Sequence, residues 1–336
     1  MIITRTPFRM SFFGGGTDMK VFYEKYGGAI LSTSFDKYCY VNVRHLPPFF
    51  SYRTQLMYSK TESVRTVEEI SHPLIREAMR FLDIHEIHLT YDADLPAQTG
   101  LGTSSSFAVG LLQAFYALKG KQVDKKRLAD EAIYLEREMC QEAGGIQDQI
   151  AAAFGGFNRI DMNGNGYTVR PVILSNQRKE SLANRLMLFF TGFTRYSAAV
   201  QSKMIKSLPQ QIAQLTEMRE LVTAAENILV SKSDLNDFGR LLHHTWQLKR
   251  GLSAGVSTDE MDDIYLAARK AGALGGKLLG AGGGGFFLFY VEPDNRGRVK
   301  QALSSLLQVP FAFENDGSQI VYYQAEDYEI SEEERS

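Results

Sequence analysis

The first half of the chain mixes the two hydrophobic periodicities that mark secondary structure. Apolar residues three or four positions apart predict a helix over 66–82, because that spacing places them on one helical face. Alternating apolar and polar residues at 87–91 predict a half-buried strand. Short runs rich in β-branched and aromatic residues predict strands at 2–6, 10–13, 29–35 and 38–46. Further helices are predicted at 104–118, 124–143 and 146–154, with Asp124 as the N-cap of the second.

The second half begins and ends with strand patterns on either side of a long helical stretch. Strands are predicted at 157–162, 168–174 and 186–191, and helical spacing then extends from 197 to 271 with breaks. Two apolar segments lie within 276–291, and a helix is predicted at 295–307. Asp316-Gly317 predicts that segments 311–313 and 319–323 pair as a hairpin. The mixture of strands and helices is neither a regular βαβα alternation nor all-helical, which favours an α+β fold.

Length and composition narrow the class of protein. The 336 residues correspond to two domains of ordinary size, and we expect the boundary within 175–195, giving domains 1–185 and 186–336. A formal charge of −2 offers no electrostatic reason to expect a nucleic acid or an anionic membrane as partner. No apolar run reaches the roughly 18 residues of a membrane span. Cys39 and Cys140 fit no metal or redox spacing, which favours a reduced, cytoplasmic protein.

The first of three glycine-rich segments follows a predicted strand and comprises Gly14-Gly15-Gly16-Thr17-Asp18. Successive glycines allow a ligand to approach the backbone closely, and Asp18 adds a carboxylate. The alternative is a turn with an exposed aspartate. This segment alone does not decide between them.

The second segment lies between a predicted strand and a predicted helix. Free N–H groups at a helix start point at an anion, and hydroxyl side chains add further donors. A plain N-cap is the alternative, but a cap needs one such residue and here four follow two glycines. We therefore predict a phosphate-binding loop formed by Pro96, Gly100, Leu101, Gly102, Thr103, Ser104, Ser105 and Ser106.

The third segment, residues 275–285, lies between two apolar strands. Its G-x-G-x-x-G spacing is not a dinucleotide fingerprint, because a strand and not a helix follows it. Lys277 does not end a P-loop, since Ala271 and Leu278 occupy two required positions of that motif. A loop that exposes its backbone to a ligand and a purely structural hairpin both remain possible.

Three carboxylates that follow the second segment in the sequence are candidates for chemistry. Asp148 lies at the start of an otherwise apolar helix, where a simple capping aspartate is the alternative. Glu136 and Glu138 lie on the preceding helix, where most glutamates are solvated. Adjacent His243 and His244 face different directions and cannot form a metal pair at helical spacing. No hydrolase signature such as G-x-S-x-G is present.

In this order and spacing, the three glycine-rich segments resemble the three motifs of the GHMP kinases, the superfamily of galactokinase, homoserine kinase, mevalonate kinase and phosphomevalonate kinase. The resemblance covers nearly the whole chain. The first motif, from Arg9 to Asp18, resembles that of the D-glycero-α-D-manno-heptose 7-phosphate 1-kinases and related sugar kinases. Galactokinases have a Glu-His pair where this chain has Gly15-Gly16, so galactose is disfavoured as the substrate.

The resemblance implies a two-domain fold, with a ribosomal protein S5 domain 2-like N-terminal domain, a ferredoxin-like C-terminal domain, and ATP and sugar between them. It places the ATP phosphates on the second segment and Mg²⁺ on Ser104 or Ser105 with Glu136, or with Glu138 if the helix alignment shifts. It matches Asp148 to the catalytic aspartate and Arg9 to its basic partner. We assign the acceptor sugar to Gly15, Gly16, Thr17, Asp18, Gly282 and Gly283.

The activity implied is ATP-dependent phosphorylation of the anomeric C1 hydroxyl of a sugar, with heptose 7-phosphate as the preferred acceptor. An acceptor phosphate needs cations, and Arg195, Lys249 and Arg250 lie at plausible positions, although cations near helix ends are common for other reasons. The alternatives are an L-fucose-type or other sugar 1-kinase and a non-catalytic sugar-sensing relative. A decarboxylase of the superfamily is disfavoured by the first motif. A monomer or a homodimer is expected.

Overall fold

The computed structural model describes residues 1–193, 211–252 and 255–325. The described strands are β1 (Ile2–Phe13), β2 (Gly28–His45), β3 (Thr54–Met57), β4 (Thr61–Val64), β5 (Ile87–Ala93), β6 (Phe157–Asn163), β7 (Gly166–Pro171), β8 (Leu186–Phe190), β9 (Ala273–Leu278), β10 (Phe286–Val291), β11 (Leu307–Val309), β12 (Phe313–Glu314) and β13 (Gln319–Tyr323). The described helices are α1 (Lys20–Tyr26), α2 (Pro73–Leu82), α3 (Thr103–Leu118), α4 (Lys125–Tyr134), α5 (Gln147–Phe154), α6 (Asn176–Ala183), α7 (Ile212–Val230), α8 (Asn236–Gly251), α9 (Asp259–Lys270) and α10 (Arg296–Ala302). No helix among these residues is long and apolar enough to cross a membrane.

The first sheet is built around the long strand β2. One edge of β2 pairs antiparallel with β1 along most of its length, and the other edge pairs with β6, β12 and β5 in turn. The strands predicted at 2–6 and 10–13 are therefore one strand, as are those at 29–35 and 38–46. The breaks in the hydrophobic pattern are register shifts within a continuous ladder, which bend a strand without ending it.

The second sheet has the order β11-β8-β10-β9 with antiparallel neighbours. Along the chain, β8 is followed by helices, then by β9 and β10, then by α10 and β11. This is the ferredoxin-like arrangement of strands and helices that we expected. The α+β, two-domain prediction is confirmed.

The end of the chain departs from the prediction. Segments 311–313 and 319–323 do not form a hairpin with each other: β12 pairs with β2, and β13 pairs with β1. The intervening segment passes over the C-terminal end of α5, where Ser318 N donates to Ala152 O at 2.9 Å. Strands β12 and β13 thus belong to the first sheet, although we predicted 186–336 as the second domain.

Three predicted helices are shorter than their hydrophobic patterns. The pattern at 66–82 contains a 3₁₀ turn (Val67–Glu69) and then α2, which begins at Pro73 because proline fits the first helical position. Asp124 caps α4 as predicted, but α4 continues as one π-helical turn (Leu135–Met139) and does not reach 143. The pattern at 295–307 ends as α10 at Ala302, and the strand β11 that follows is absent from the prediction.

Two hydrophobic layers cover the two faces of the first sheet, and the second of them joins the two domains. Helices α2 to α5 pack on one face of the first sheet. The opposite face packs against α7, α8 and the second sheet, with Phe12 and Phe13 in edge contact with Phe238 of α8. Since this second layer is continuous, the two domains form the walls of one cleft of about 450 Å³.

Candidate active site

The loop before α3 forms one wall of the cleft. Gly100 and Gly102 have φ angles of +77° and +76°, a left-handed backbone that favours glycine. A Cβ at Gly102 would lie 3.4 Å from the Asp148 carboxylate, so the loop backbone runs directly against the acidic side chain. Thr103, Ser104 and Ser105 line the cleft at the start of α3.

Three residues of the predicted phosphate loop have other roles in the structure. Pro96 is exposed and does not line the cleft. Leu101 is buried in the core, and its carbonyl oxygen accepts from Arg9 N at 3.2 Å. Ser106 Oγ donates to Pro7 O at 2.9 Å, because the α3 turn points this hydroxyl at β1 and away from the cleft.

Arg9 and Asp148 form a bidentate ion pair in the cleft. Arg9 Nε donates to Asp148 Oδ1 and Arg9 Nη2 donates to Oδ2, both at 2.7 Å. Arg9 Nη1 donates to Gly100 O, also at 2.7 Å. The guanidinium therefore ties β1, α5 and the glycine–serine loop together, and planar two-point contact gives the carboxylate one orientation.

Glu136 projects from the π-helical turn and is 1% exposed. Its Oε2 accepts from Ser105 Oγ at 2.7 Å and from Gln149 Nε2. No cationic side chain in the described ranges pairs with this buried carboxylate, which is unusual for a buried charge. Glu138, the alternative metal ligand, is exposed on the other side of the turn. The structure therefore brings Ser105 together with Glu136, while Ser104 is an exposed residue of the cleft wall.

Asp18 is a buried residue of the cleft near Asp148. Its Oδ1 accepts from Gly16 N at 3.0 Å, and its Oδ2 accepts from Gln147 Nε2 at 3.0 Å. Burial, followed by the neighbouring Asp148 charge, raises the pKa of the Asp18 carboxyl. A Cβ at Gly145 would lie only 1.8 Å from Asp18 Oδ2, so only glycine allows this loop to approach.

Part of the first glycine segment lines the cleft, and part of it is buried in the protein interior. Gly15 and Gly16 line the cleft beside Asp18. Thr17, which we predicted as a substrate contact, is fully buried. Its Oγ1 donates to Ala29 O at 3.0 Å and accepts from Ala29 N at 3.1 Å. These two bonds join the loop to β2, so the Thr17 side chain is not available to a ligand.

Two buried lysines reach the cleft from the second domain. Lys277 Nζ donates to the carbonyl oxygens of Ser11 and Phe12 at 2.8 and 2.9 Å. Lys249 Nζ donates to Leu278 O at 3.0 Å and to Gly280 O. Burial, followed by the nearby Arg9 charge, lowers the pKa of Lys249 to about 7. Burial and the adjacent cations also lower the pKa of Lys277 well below its ordinary value.

The third glycine segment is largely structural. A Cβ at Gly280 would lie 2.2 Å from the Gly100 Cα, so this loop packs its backbone on the second glycine segment. Gly283 N donates to Val256 O at 3.0 Å, and a Cβ at Gly282 would meet the Val256 backbone. Gly282 and Gly283 therefore hold the chain near Val256. We predicted that they contact the acceptor sugar, but neither residue lines the cleft.

Of the three cations predicted for an acceptor phosphate, Lys249 lines the cleft and Arg250 lies outside it. Its guanidinium pairs with Asp262 of α9, because the last turn of α8 directs Arg250 towards α9 and directs Lys249 inwards. Arg195 lies outside the described residues.

The prediction missed Gln147 and Arg137, which line the cleft, and Gln149, which is fully buried. Gln147 and Gln149 flank Asp148 and contact Asp18 and Glu136, respectively. Arg137 donates to Gly145 O at 3.0 Å and holds the loop before α5. The available signal was the presence of polar side chains on both sides of Asp148 at the start of an apolar helix.

Part of the cleft lining is aromatic. His72 packs edge-on against Tyr58 and Phe107, with ring centroids 5.0 and 5.7 Å apart. Tyr91 lies against Phe107 with centroids 4.5 Å apart. Apolar walls with a few convergent polar groups are typical of sites for small organic ligands.

Comparisons with known proteins agree with this geometry. A D-glycero-alpha-D-manno-heptose 7-phosphate kinase of Campylobacter jejuni is 28% identical over 317 residues, which is 90% of this chain and 93% of that protein. The crystal structure of a D-glycero-D-manno-heptose 1-phosphate kinase from Bacteroides thetaiotaomicron has a TM-score of 0.79 at 25% identity, covering 97% of this chain and 100% of that chain. A mevalonate kinase of Pyrococcus horikoshii is 26% identical over 272 residues, which is 77% of this chain and 76% of that protein.

Two family profiles match the two walls of the cleft. The GHMP kinases N terminal domain matches residues 66–156, which include the glycine–serine loop, Glu136 and Asp148. The GHMP kinases C terminal domain matches residues 221–308, which include Lys249, Lys277 and the third glycine segment. Because both profiles occur in chain order and meet at one cleft, this chain belongs to the GHMP kinase family.

Proposed function

We propose that this protein is an ATP-dependent sugar kinase that phosphorylates the anomeric C1 hydroxyl of its acceptor. The observation that supports this most is the position of the Arg9–Asp148 pair, between a glycine–serine loop suited to phosphates and the buried Asp18. A reaction at Asp148 would then have a phosphate donor on one side and a hydroxyl-rich acceptor on the other.

The nucleotide half of the site is formed by the start of α3. Backbone N–H groups and the Thr103 and Ser104 hydroxyls provide donors for phosphate oxygens, and the positive end of the helix favours negative charge. Glu136 and Ser105 offer hard oxygen ligands, and a buried carboxylate without a cationic partner fits Mg²⁺. When bound there, Mg²⁺ would neutralise charge on the transferred phosphoryl group.

The chain's own residues supply orientation and charge for the transfer. Asp148 accepts the hydrogen of the C1 hydroxyl and directs its oxygen at the γ-phosphoryl group. Arg9 holds the carboxylate in place and, through its contact with Gly100 O, keeps it registered with the phosphate loop. Phosphoryl transfer passes through a loose transition state, so this alignment and the surrounding positive charge provide most of the catalysis.

The acceptor we favour is D-glycero-D-manno-heptose 7-phosphate. The names of the relatives in Campylobacter jejuni and Bacteroides thetaiotaomicron support a heptose phosphate. An L-fucose-type or other sugar 1-kinase is the second candidate, because Arg250 pairs with Asp262 and so does not provide the expected phosphate contact. The two candidates differ in whether the acceptor needs its own phosphate.

The test is an assay of ADP release with purified protein, ATP, Mg²⁺ and a panel of acceptors. The panel contains heptose 7-phosphate, the unphosphorylated heptose, L-fucose, D-galactose and D-mannose, and phosphorus NMR identifies the position of the new phosphate. We expect turnover of heptose 7-phosphate with the phosphate on C1. Equal use of both heptoses would favour the fucose-type alternative, and no turnover with any sugar would contradict a sugar kinase.

A further inference from the structure

The first turn of α5 directs three successive side chains to three different groups of the cleft. Gln147 contacts Asp18, Asp148 contacts Arg9, and Gln149 contacts Glu136. Under the proposed function these are the acceptor side, the reacting position and the metal side, respectively. Gln147 and Gln149 each have a buried amide oxygen without a hydrogen-bond donor, and of these two residues Gln147 is the one that lines the cleft.

Hydrogen bonds fix the orientation of the Gln147 amide. Its Nε2 donates to Asp18 Oδ2 at 3.0 Å, and its backbone N approaches the same oxygen at 3.4 Å. Gly16 N donates to the other Asp18 oxygen at 3.0 Å. Because Asp18 is surrounded by N–H donors, the Gln147 NH₂ group must face it, and the amide oxygen faces the other way.

That amide oxygen has no donor in the described part of the chain. Gln147 Oε1 is buried, and Gln147 lines the cleft beside Asp148 and Asp18. A buried acceptor without a donor is costly, and native proteins rarely leave one. A ligand bound in the cleft is therefore the natural source of the missing donor.

We propose that Gln147 Oε1 accepts a hydrogen bond from the hydroxyl on C2 of the acceptor sugar, which makes Gln147 a specificity-determining residue. This inference rests on the proposed function, in which the neighbouring Asp148 accepts the C1 hydroxyl. The two atoms bonded to C1 within the ring are C2 and the ring oxygen, and the ring oxygen has no hydrogen to donate. The C2 hydroxyl is thus the nearest group that can satisfy an amide oxygen beside Asp148.

A neutral acceptor also discriminates among substituents on C2. A 2-deoxy sugar would leave Oε1 buried without a donor, so the enzyme would disfavour it. The pair of Asp18 and Gln147 would in this way select the acceptor, while Asp148 and Arg9 act on the reacting hydroxyl.

The experiment compares two proteins, each assayed with two sugars. Wild-type protein and Gln147→Met are assayed with heptose 7-phosphate and with its 2-deoxy analogue. We expect the wild type to use the 2-deoxy sugar with about tenfold lower kcat/KM, and Gln147→Met to use the two sugars within about twofold of each other. The KM for ATP should stay within about twofold in both proteins, because Gln147 is not part of the phosphate loop.

Two further variants separate recognition from structure. Gln113→Met makes the same chemical change at a half-buried glutamine of α3 that bonds to Ser318, outside the cleft, and should keep the tenfold ratio. Gln147→Asn shortens the side chain by one carbon, which withdraws the amide. This variant should use heptose 7-phosphate and its 2-deoxy analogue about equally, even if Gln147→Met folds poorly.

Two results would overturn the inference while leaving the proposed function intact. One is equal use of the two sugars by the wild-type enzyme. The other is a ratio that persists in Gln147→Met or Gln147→Asn. If the wild type turns over no sugar at all, the proposed function fails, and this inference fails with it.

Discussion

The two walls of the cleft hold their charges in opposite ways. On the first-domain wall, the Arg9 guanidinium meets the Asp148 carboxylate at 2.7 Å through two hydrogen bonds. On the second-domain wall, the Lys249 and Lys277 ammonium groups donate to backbone carbonyl oxygens, and within the described ranges neither forms an ion pair. The first-domain wall holds its reacting carboxylate in a matched pair, although Glu136 on that wall has no cationic partner in the described ranges. The second-domain wall contains buried cations that lack an anion.

The ion pair fixes the orientation of a side chain, whereas the two lysines can supply positive charge to a ligand. A bidentate ion pair is already satisfied, so its value lies in holding Asp148 in one orientation. A buried ammonium bonded only to carbonyl oxygens is costly, and burial accordingly lowers the pKa of Lys249 to about 7. Bound phosphate oxygens would supply the missing negative charge.

The largest effect should come from the matched wall. Asp148→Asn keeps the side-chain shape but removes the charge and weakens proton acceptance, so we expect kcat to fall by about 10²–10⁴. The protein should remain folded and bind ATP, because the phosphate loop is unchanged. Steady-state kinetics with heptose 7-phosphate and a nucleotide-binding titration measure both. Near-normal kcat would show that the reacting hydroxyl does not meet Asp148.

An intermediate effect should come from the unmatched wall. Lys249 faces Arg9, Lys277, Asp18 and Asp148, and with a pKa of about 7 it is mostly neutral at pH 8 in the free protein. Phosphate oxygens near Gly280 would raise that pKa, so nucleotide binding at pH 8 should take up protons. At pH 6 Lys249 is already charged, and this uptake should nearly vanish.

Calorimetric titration of ATP in two buffers of different ionisation enthalpy measures the proton uptake. Lys249→Met should remove most of it at pH 8 and raise the KM for ATP roughly 10-fold or more, the cost of one charge-assisted contact. If Lys249→Met takes up as many protons on ATP binding as the wild type, another group binds these protons. Lys249 would then not be the group that meets the phosphate charge.

The smallest effect should come from Arg250, next to Lys249 on α8. Its guanidinium pairs with Asp262 outside the cleft, so Arg250→Ala should change the KM for ATP and for heptose 7-phosphate by less than about twofold. A modest loss of thermal stability is expected, because a half-exposed ion pair contributes little. A large rise in the KM for heptose 7-phosphate would contradict this prediction and would indicate that Arg250 binds the acceptor phosphate.

Local chemistry made much of this protein predictable from its amino-acid sequence. Glycines that need a left-handed backbone, as at Gly100 and Gly102, mark a loop wherever they occur in the fold. Hydrophobic periodicity located α3 and β5 closely, and Asp124 was identified as a cap from its residue type. The α+β class followed from such local patterns, and the candidate pair of Arg9 and Asp148 followed from the resemblance to a family.

Contacts between residues that are far apart in the sequence depend on the tertiary structure. Arg9 and Asp148 are 139 positions apart, and Lys277 meets the Ser11 carbonyl across 266 positions. Neighbouring residues also diverge: Lys249 points into the cleft and Arg250 points away, since successive helical residues face different directions. The pairing of β13 with β1 depends likewise on which sheet edge was open. Residue type and spacing are properties of short segments, whereas burial, partnership and charge balance arise only when the segments pack.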